Sequence, residues 1–215
     1  MFKVVLGLIM SLWLGLAQAA EVNTMDPYAM VREVSNNTFD RFNRDHDLIE
    51  ANQDHLKVIV REELMPYIDY KYASYKVLGQ YLKETTEDQR NRFVAAFEEY
   101  LVATYAQAFT EYTNQAVEFS PTADFAAEKM VEVNVQIIEK GRPPIKLLFK
   151  VRRLKDDSWK AFDLVAEGVS LLSSKQSEIG NIIRQQGIEA VINMLKEKAI
   201  AKVTRKDKVE KVAAQ

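Results

Sequence analysis

The sequence predicts an α+β domain, and changes of period along the chain predict it. Apolar residues fall at helical spacing up to about residue 113 and alternate with period two over 130–165. They return to helical spacing after residue 171. Helices, then consecutive strands, then helices describe an antiparallel sheet of about four strands packed by N-terminal and C-terminal helices. The composition suits such a core: 47% hydrophobic and 28% charged, with seven Gly and five Pro in 215 residues. Having no Cys, the chain forms no disulfide, thiolate metal site or cysteine nucleophile. A formal net charge of −2 gives no basis for nucleic-acid binding.

The first elements are helices. Asp26-Pro27 reads as an N-cap with Pro at the first helical position, opening a helix over 27–44 with Met30, Val31, Val34, Phe39 and Phe42 on one face. A polar turn over 43–47 separates it from a second helix over 53–64, which Pro66 stops. Asp69 caps a short helix ending at Gly79. Thr86-Glu87-Asp88-Gln89 matches a capping box and opens the longest helix, 87–113. Phe93, Phe97, Tyr100, Leu101, Tyr105, Phe109 and Tyr112 stripe that helix.

The strands follow. Val131, Val133 and Val135 alternate with Glu132, Asn134 and Gln136 and lead to Ile137, and in the next segment Ile145, Leu147, Phe149 and Val151 alternate with Lys146, Leu148, Lys150 and Arg152. Trp159 to Val165 is a third strand, and Val117-Glu118-Phe119 reads as a short fourth. Turns at 140–144 and 156–158 make neighbouring strands antiparallel. Each strand has one apolar face, so the sheet needs a cover, and the long helix is the expected one. Two closing helices follow, split at Gly187.

The ends carry their own signals. Met1-Phe2-Lys3, an apolar run over 4–16 and Ala17-Gln18-Ala19 form the layout of a secretory signal, with cleavage expected after Ala19. The run is shorter than the roughly 20 residues a bilayer span needs. An exported, soluble, single domain over 20–199 is expected. Residues 196–211 hold seven basic and three acidic side chains, so 200–215 is expected to be a disordered polar tail.

Residues for chemistry are scarce. His46 sits in Asp45-His46-Asp47, expected to be a solvated loop; no second His lies at a zinc spacing. Neither His46 nor His55 has a nucleophile elbow to serve. Glu62-Glu63 and Glu98-Glu99 are adjacent on helices, where neighbouring side chains point apart. Asn36-Asn37-Thr38 fits a glycosylation sequon but lies in a predicted helix. No catalytic residue, metal or cofactor is expected.

Four segments resemble the MlaC family of periplasmic phospholipid-binding proteins, also called toluene-tolerance proteins. They are Pro66-Tyr67-Ile68-Asp69-Tyr70 running on to Gly79-Gln80-Tyr81; Thr86 to Arg90 with Phe93, Phe97 and Leu101 to Ala106; Trp159 to Leu164 with Glu167 to Leu171; and the Ile183–Leu195 helix. Tyr81 departs from the Trp associated with the family. The resemblance implies a curved antiparallel sheet packed by helices, a fold like that of nuclear transport factors. It also implies a monomeric carrier shuttling phospholipid between an outer-membrane lipoprotein–porin complex and an inner-membrane ABC-type transporter, which maintains outer-membrane lipid asymmetry in Gram-negative cells.

Two chains of about sixteen carbons cost roughly 25 kcal/mol in water, at ~0.8 kcal/mol per methylene. A carrier must offer them an apolar cavity and leave the phosphate wet. On their shared apolar face, Val133, Val135, Leu147, Phe149 and Val151 are expected to form the wall from the sheet. Tyr105 and Phe109 would join from the long helix, with Val169, Leu171 and Leu172 near the mouth. Pro66, Asp69, Trp159 and Asp163 read as structural. Two readings compete. An enzyme would need an acid or base in the cavity, and Asp163 supplies one only if its strand's register is reversed. An interaction adaptor or holdase would have a packed core and no cavity.

Overall fold

The computed structural model describes residues 21–113 and 115–205. The expected signal segment lies outside the described residues, as does most of the expected tail.

Helix α1 spans Pro27–Arg44; the Asp26 carboxylate accepts from the backbone N–H groups of Tyr28 and Ala29. The expected polar turn is shorter than the sequence suggested. Asp45 alone separates α1 from α2, His46–Ala51, so His46 begins a helix rather than sitting in a loop. Asp45 links three elements: Arg41 Nε approaches its carboxylate at 2.7 Å, and His55 Nε2 donates to it at 2.7 Å. These bonds hold the Asp45 carboxyl below its usual pKa, the one from His55 most strongly.

The expected helix over 53–64 is only partly α-helical. Helix α3 covers His55–Ile59, and a π-helical turn, Val60–Leu64, follows. Pro66 explains the wider turn: its ring would clash with the carbonyl four residues back, and it has no N–H to offer. Met65 N–H instead reaches the Val60 carbonyl.

Helix α4, Tyr70–Leu78, is capped by Asp69, which accepts from Tyr72 N–H at 3.0 Å and also holds Arg152. Gly79 ends it at φ 53. Helix α5, Glu87–Phe109, opens with the full capping box of Thr86 and Gln89.

The sheet has five strands in sequence order: β1 (Ala116–Phe119), β2 (Met130–Ile138), β3 (Ile145–Arg153), β4 (Trp159–Ala166) and the two-residue β5 (Val169–Ser170). All neighbours are antiparallel. Val131, Val133 and Val135 stand opposite Val151, Phe149 and Leu147. Between β3 and β4 the register shifts. Phe149 faces Leu164 but Val151 faces Ala161, so β4 carries one extra residue.

Helix α6 runs Leu171–Ile200 and breaks at Gly187, whose φ of 81 and ψ of 171 are not helical. This matches the two helices read from the sequence. Residues 201–205 are docked rather than loose: Val203 is buried and its N–H donates to Asp54 at 3.0 Å, and Thr204 exchanges hydrogen bonds with Gln107.

Which helix covers the sheet differs from expectation. Tyr28, Met30, Val31 and Val34 of α1 pack on Val131, Val133, Val135, Val151 and the fully buried Trp159. The stripe of α5 is divided. Phe93, Ala96, Phe97 and Tyr100 bury against α4 and α6, while Val102 and Ala106 bury against α2, α3 and the end of α1. Only the C-terminal end of α5 turns toward the sheet.

Candidate binding cavity

The sheet and α1 do not close along their whole length. At the end where β2 finishes and β3 begins they leave a cavity of about 440 Å³, within the usual size range of small-molecule sites. Met30, Val31, Val34, Thr38 and Phe39 of α1 form one wall, and Val135, Leu147, Phe149 and Leu164 form the sheet wall. Tyr105, Phe109 and Tyr112, at the end of α5, form a third. Leu64, Tyr67 and Ile68 line the inner end. The exposed lining residues Ala108, Glu111, Ile145 and Leu171 mark the mouth.

The chain fills this region with aromatic rings. Phe39 stacks on Tyr112 at 4.5 Å, and Phe42 meets Phe109 edge-on at 4.9 Å. Ser35 and Thr38 are polar but satisfied, each donating to a backbone carbonyl one turn earlier at 2.7 Å. Burial pushes the Tyr105 hydroxyl up to about 12, and the nearby charge of Asp163 adds to the shift. Burial likewise raises Tyr67 and Tyr112.

Of the ten wall and mouth residues expected from the sequence, six line the cavity: Tyr105, Phe109, Val135, Leu147, Phe149 and Leu171. Val133 and Val151 do not. They lie in the closed part of the sheet face with Trp159 and α1. Val169 is 56% exposed on β5, and Leu172 packs toward the α4–α5–α6 core. Strand alternation shows which face is apolar but not how far along it the cover fits tightly. Leu171 and Leu172 are helical neighbours, so they point roughly 100° apart. The wall from α1 was missed; its stripe was visible, but nothing in its spacing separated cavity from core.

Asp163 is among the lining residues, although the extra residue in β4 sets it opposite Lys150, on the face away from Leu147 and Phe149. Its carboxylate accepts from Ser170 Oγ at 2.8 Å and Leu172 N–H at 3.0 Å, with Lys150 Nζ at 3.7 Å. It therefore ties the first turn of α6 to the sheet. No cluster of His, Asp or Glu among the described residues is arranged to hold a metal. No helix among them is long and apolar enough to cross a membrane. A second depression, about 450 Å³, is a more open groove beside Gly187 with mixed walls including Glu84, Gln89 and Arg184.

Known proteins match this architecture. The fold resembles that of the phospholipid-binding protein from Ralstonia solanacearum, solved in complex with a phospholipid. The TM-score is 0.72 at 23% identity, covering 81% of this chain and 97% of that one. The chain is also 33% identical over 175 residues to the intermembrane phospholipid transport system binding protein MlaC of Haemophilus influenzae. That match covers 80% of this chain and 82% of the relative. The model of the MlaC protein family matches residues 32–197, and with that relative it establishes that this chain belongs to the MlaC family.

Proposed function

We propose that the chain is a periplasmic phospholipid carrier that encloses acyl chain in the cavity between α1, the sheet and the end of α5. It takes lipid from one membrane complex and yields it to another, an outer-membrane lipoprotein–porin assembly and an inner-membrane ABC-type transporter, and so maintains outer-membrane lipid asymmetry. The observation that carries this reading is an apolar cavity with an open mouth, held by a chain of the MlaC family. The names of the relatives, one a transport-system binding protein and one a phospholipid-binding protein, support it.

The size of the cavity refines the reading. If a methylene takes roughly the 30 Å³ of a water molecule, 440 Å³ holds about fifteen of them, close to one acyl chain. A second chain then requires α1 and the sheet to part further, or lies in the mouth against Ile145 and Leu171. No catalytic step is needed, because uptake and release exchange one apolar environment for another. Asp163, the buried carboxylate among the lining residues, is engaged by Ser170 and the first turn of α6 rather than placed as a base.

The test is to purify the exported protein without detergent and weigh it by native mass spectrometry, then identify extracted lipids. A phospholipid-sized added mass is expected. Protein that leaves the cell without lipid and takes none from vesicles would overturn the carrier reading in favour of an adaptor.

A further inference from the structure

The polar groups in the cavity differ in whether the protein itself satisfies them. The hydroxyls of Ser35 and Thr38 and the carboxylate of Asp163 are all engaged. Tyr105 is not: it lines the cavity, and no described residue hydrogen-bonds its hydroxyl. Half-buried Tyr105 opens on the cavity rather than being sealed in the core. Once a lipid fills that space and displaces water, a hydroxyl left without a partner would be costly, so its place on an apolar wall points to a partner that arrives with the ligand. Tyr67 and Tyr112 also line the cavity, and their hydroxyls likewise have no hydrogen-bond partner among the described residues. Tyr112 lies beside the exposed rim residue Glu111, and Tyr67 feels the charges of Glu21, Glu33 and Glu63. Tyr105 is the most enclosed of the three, about one helical turn (roughly 5–6 Å) from Phe109 along α5.

The surroundings decide what kind of group Tyr105 meets. Among the described residues, the charged ones lining the cavity are Asp163 and Glu111, with no Lys or Arg. A phosphate or a fatty-acid carboxylate at this depth would be an uncompensated anion. A neutral acceptor would not. In a phospholipid the neutral acceptors are the ester carbonyls, which lie between the wet phosphate and the apolar chain. Burial keeps the phenol protonated, and hence a donor, at any physiological pH.

We propose that the Tyr105 hydroxyl donates a hydrogen bond to an ester carbonyl of the bound lipid, fixing how deep the lipid sits and favouring ester-linked over ether-linked chains. This rests on the carrier reading above. The test is competition between a diester and a diether phosphatidylcholine with the same chains, for delipidated wild-type protein and for Tyr105→Phe, read by native mass spectrometry. Wild type is expected to favour the diester roughly five-fold, the worth of one net hydrogen bond. Tyr105→Phe should bind the diether as wild type does and show no preference. A wild type without preference, or a preference that survives in Tyr105→Phe, overturns the anchor while leaving the carrier intact. If wild type binds neither lipid, the carrier reading fails with it. The wild-type comparison needs no variant, so a misfolded Tyr105→Phe would not spare the proposal.

Discussion

A carboxylate placed on the sheet face distinguishes cavity wall from closed core. Leu147 stands opposite Val135 and Ala166, two residues from Ile145, which is 43% exposed at the mouth. In Leu147→Asp the new carboxylate reaches water through that mouth, so the fold survives. An acyl chain on this wall must then leave three or four methylenes poorly covered. That costs about 2–3 kcal/mol at ~0.8 kcal/mol each, or roughly a 30- to 150-fold loss of affinity. Val151 is two strand steps deeper than Phe149, fully buried among Val131, Val133 and Trp159. Val151→Asp leaves an unpaired charge without water and costs about 4 kcal/mol or more, which unfolds most of the protein. Native mass spectrometry of detergent-free protein reads the lipid, and thermal melting reads the fold. Leu147→Asp with a normal melting temperature and a normal phospholipid load would refute the wall. A folded, lipid-free Val151→Asp would show that the cavity extends into the part of the sheet described as closed.

Three further outcomes are expected. Gly187→Ala puts a Cβ into open space but at φ 81, in a region only glycine occupies easily; it should cost about 1–3 kcal/mol, read as a melting temperature several degrees lower, and an unchanged value would contradict the kink. The Asp45 carboxyl titrates below its unfolded value near 3.9, so its bond with His55 stabilises the fold above that pH and is lost as pH falls through the folded value; Asp45→Asn should melt lower than wild type near neutrality, and the gap should shrink as the pH is lowered to about 3. Asp163→Asn removes the charge that holds Ser170, Leu172 and Lys150; about 1–2 kcal/mol of stability should go, with no lipid-turnover activity lost, and the loss of one would bring back an enzymatic reading.

Local chemistry made much of the fold readable. Asp26, Asp69 and Thr86 marked helix starts because each side chain satisfies N–H groups only a few residues away. Strands β2 and β3 followed from their alternation, β4 from the segment after the turn at 156–158, and the break in α6 from one glycine. The family resemblance lay in segments whose residues are largely structural. Asp69 caps α4, Trp159 fills the core, and Pro66 widens the turn before it.

The cavity was legible only in part. Periodicity reports that a face is apolar, and both a packed core and an acyl-chain site require that. Val133 and Val135 lie on the same face of one strand, two residues apart, yet one is sealed beneath α1 and the other borders open space. Which is which depends on the angle at which α1 crosses the sheet and on how far along the strands its cover extends. Those are long-range geometries, set by how whole elements dock, and no short stretch of sequence records them. The sequence by itself determined the elements, their order and the family. The tertiary packing decided that α1 rather than α5 covers the sheet, where that cover lifts away, and that the Tyr105 hydroxyl faces the opening without a hydrogen-bond partner among the described residues.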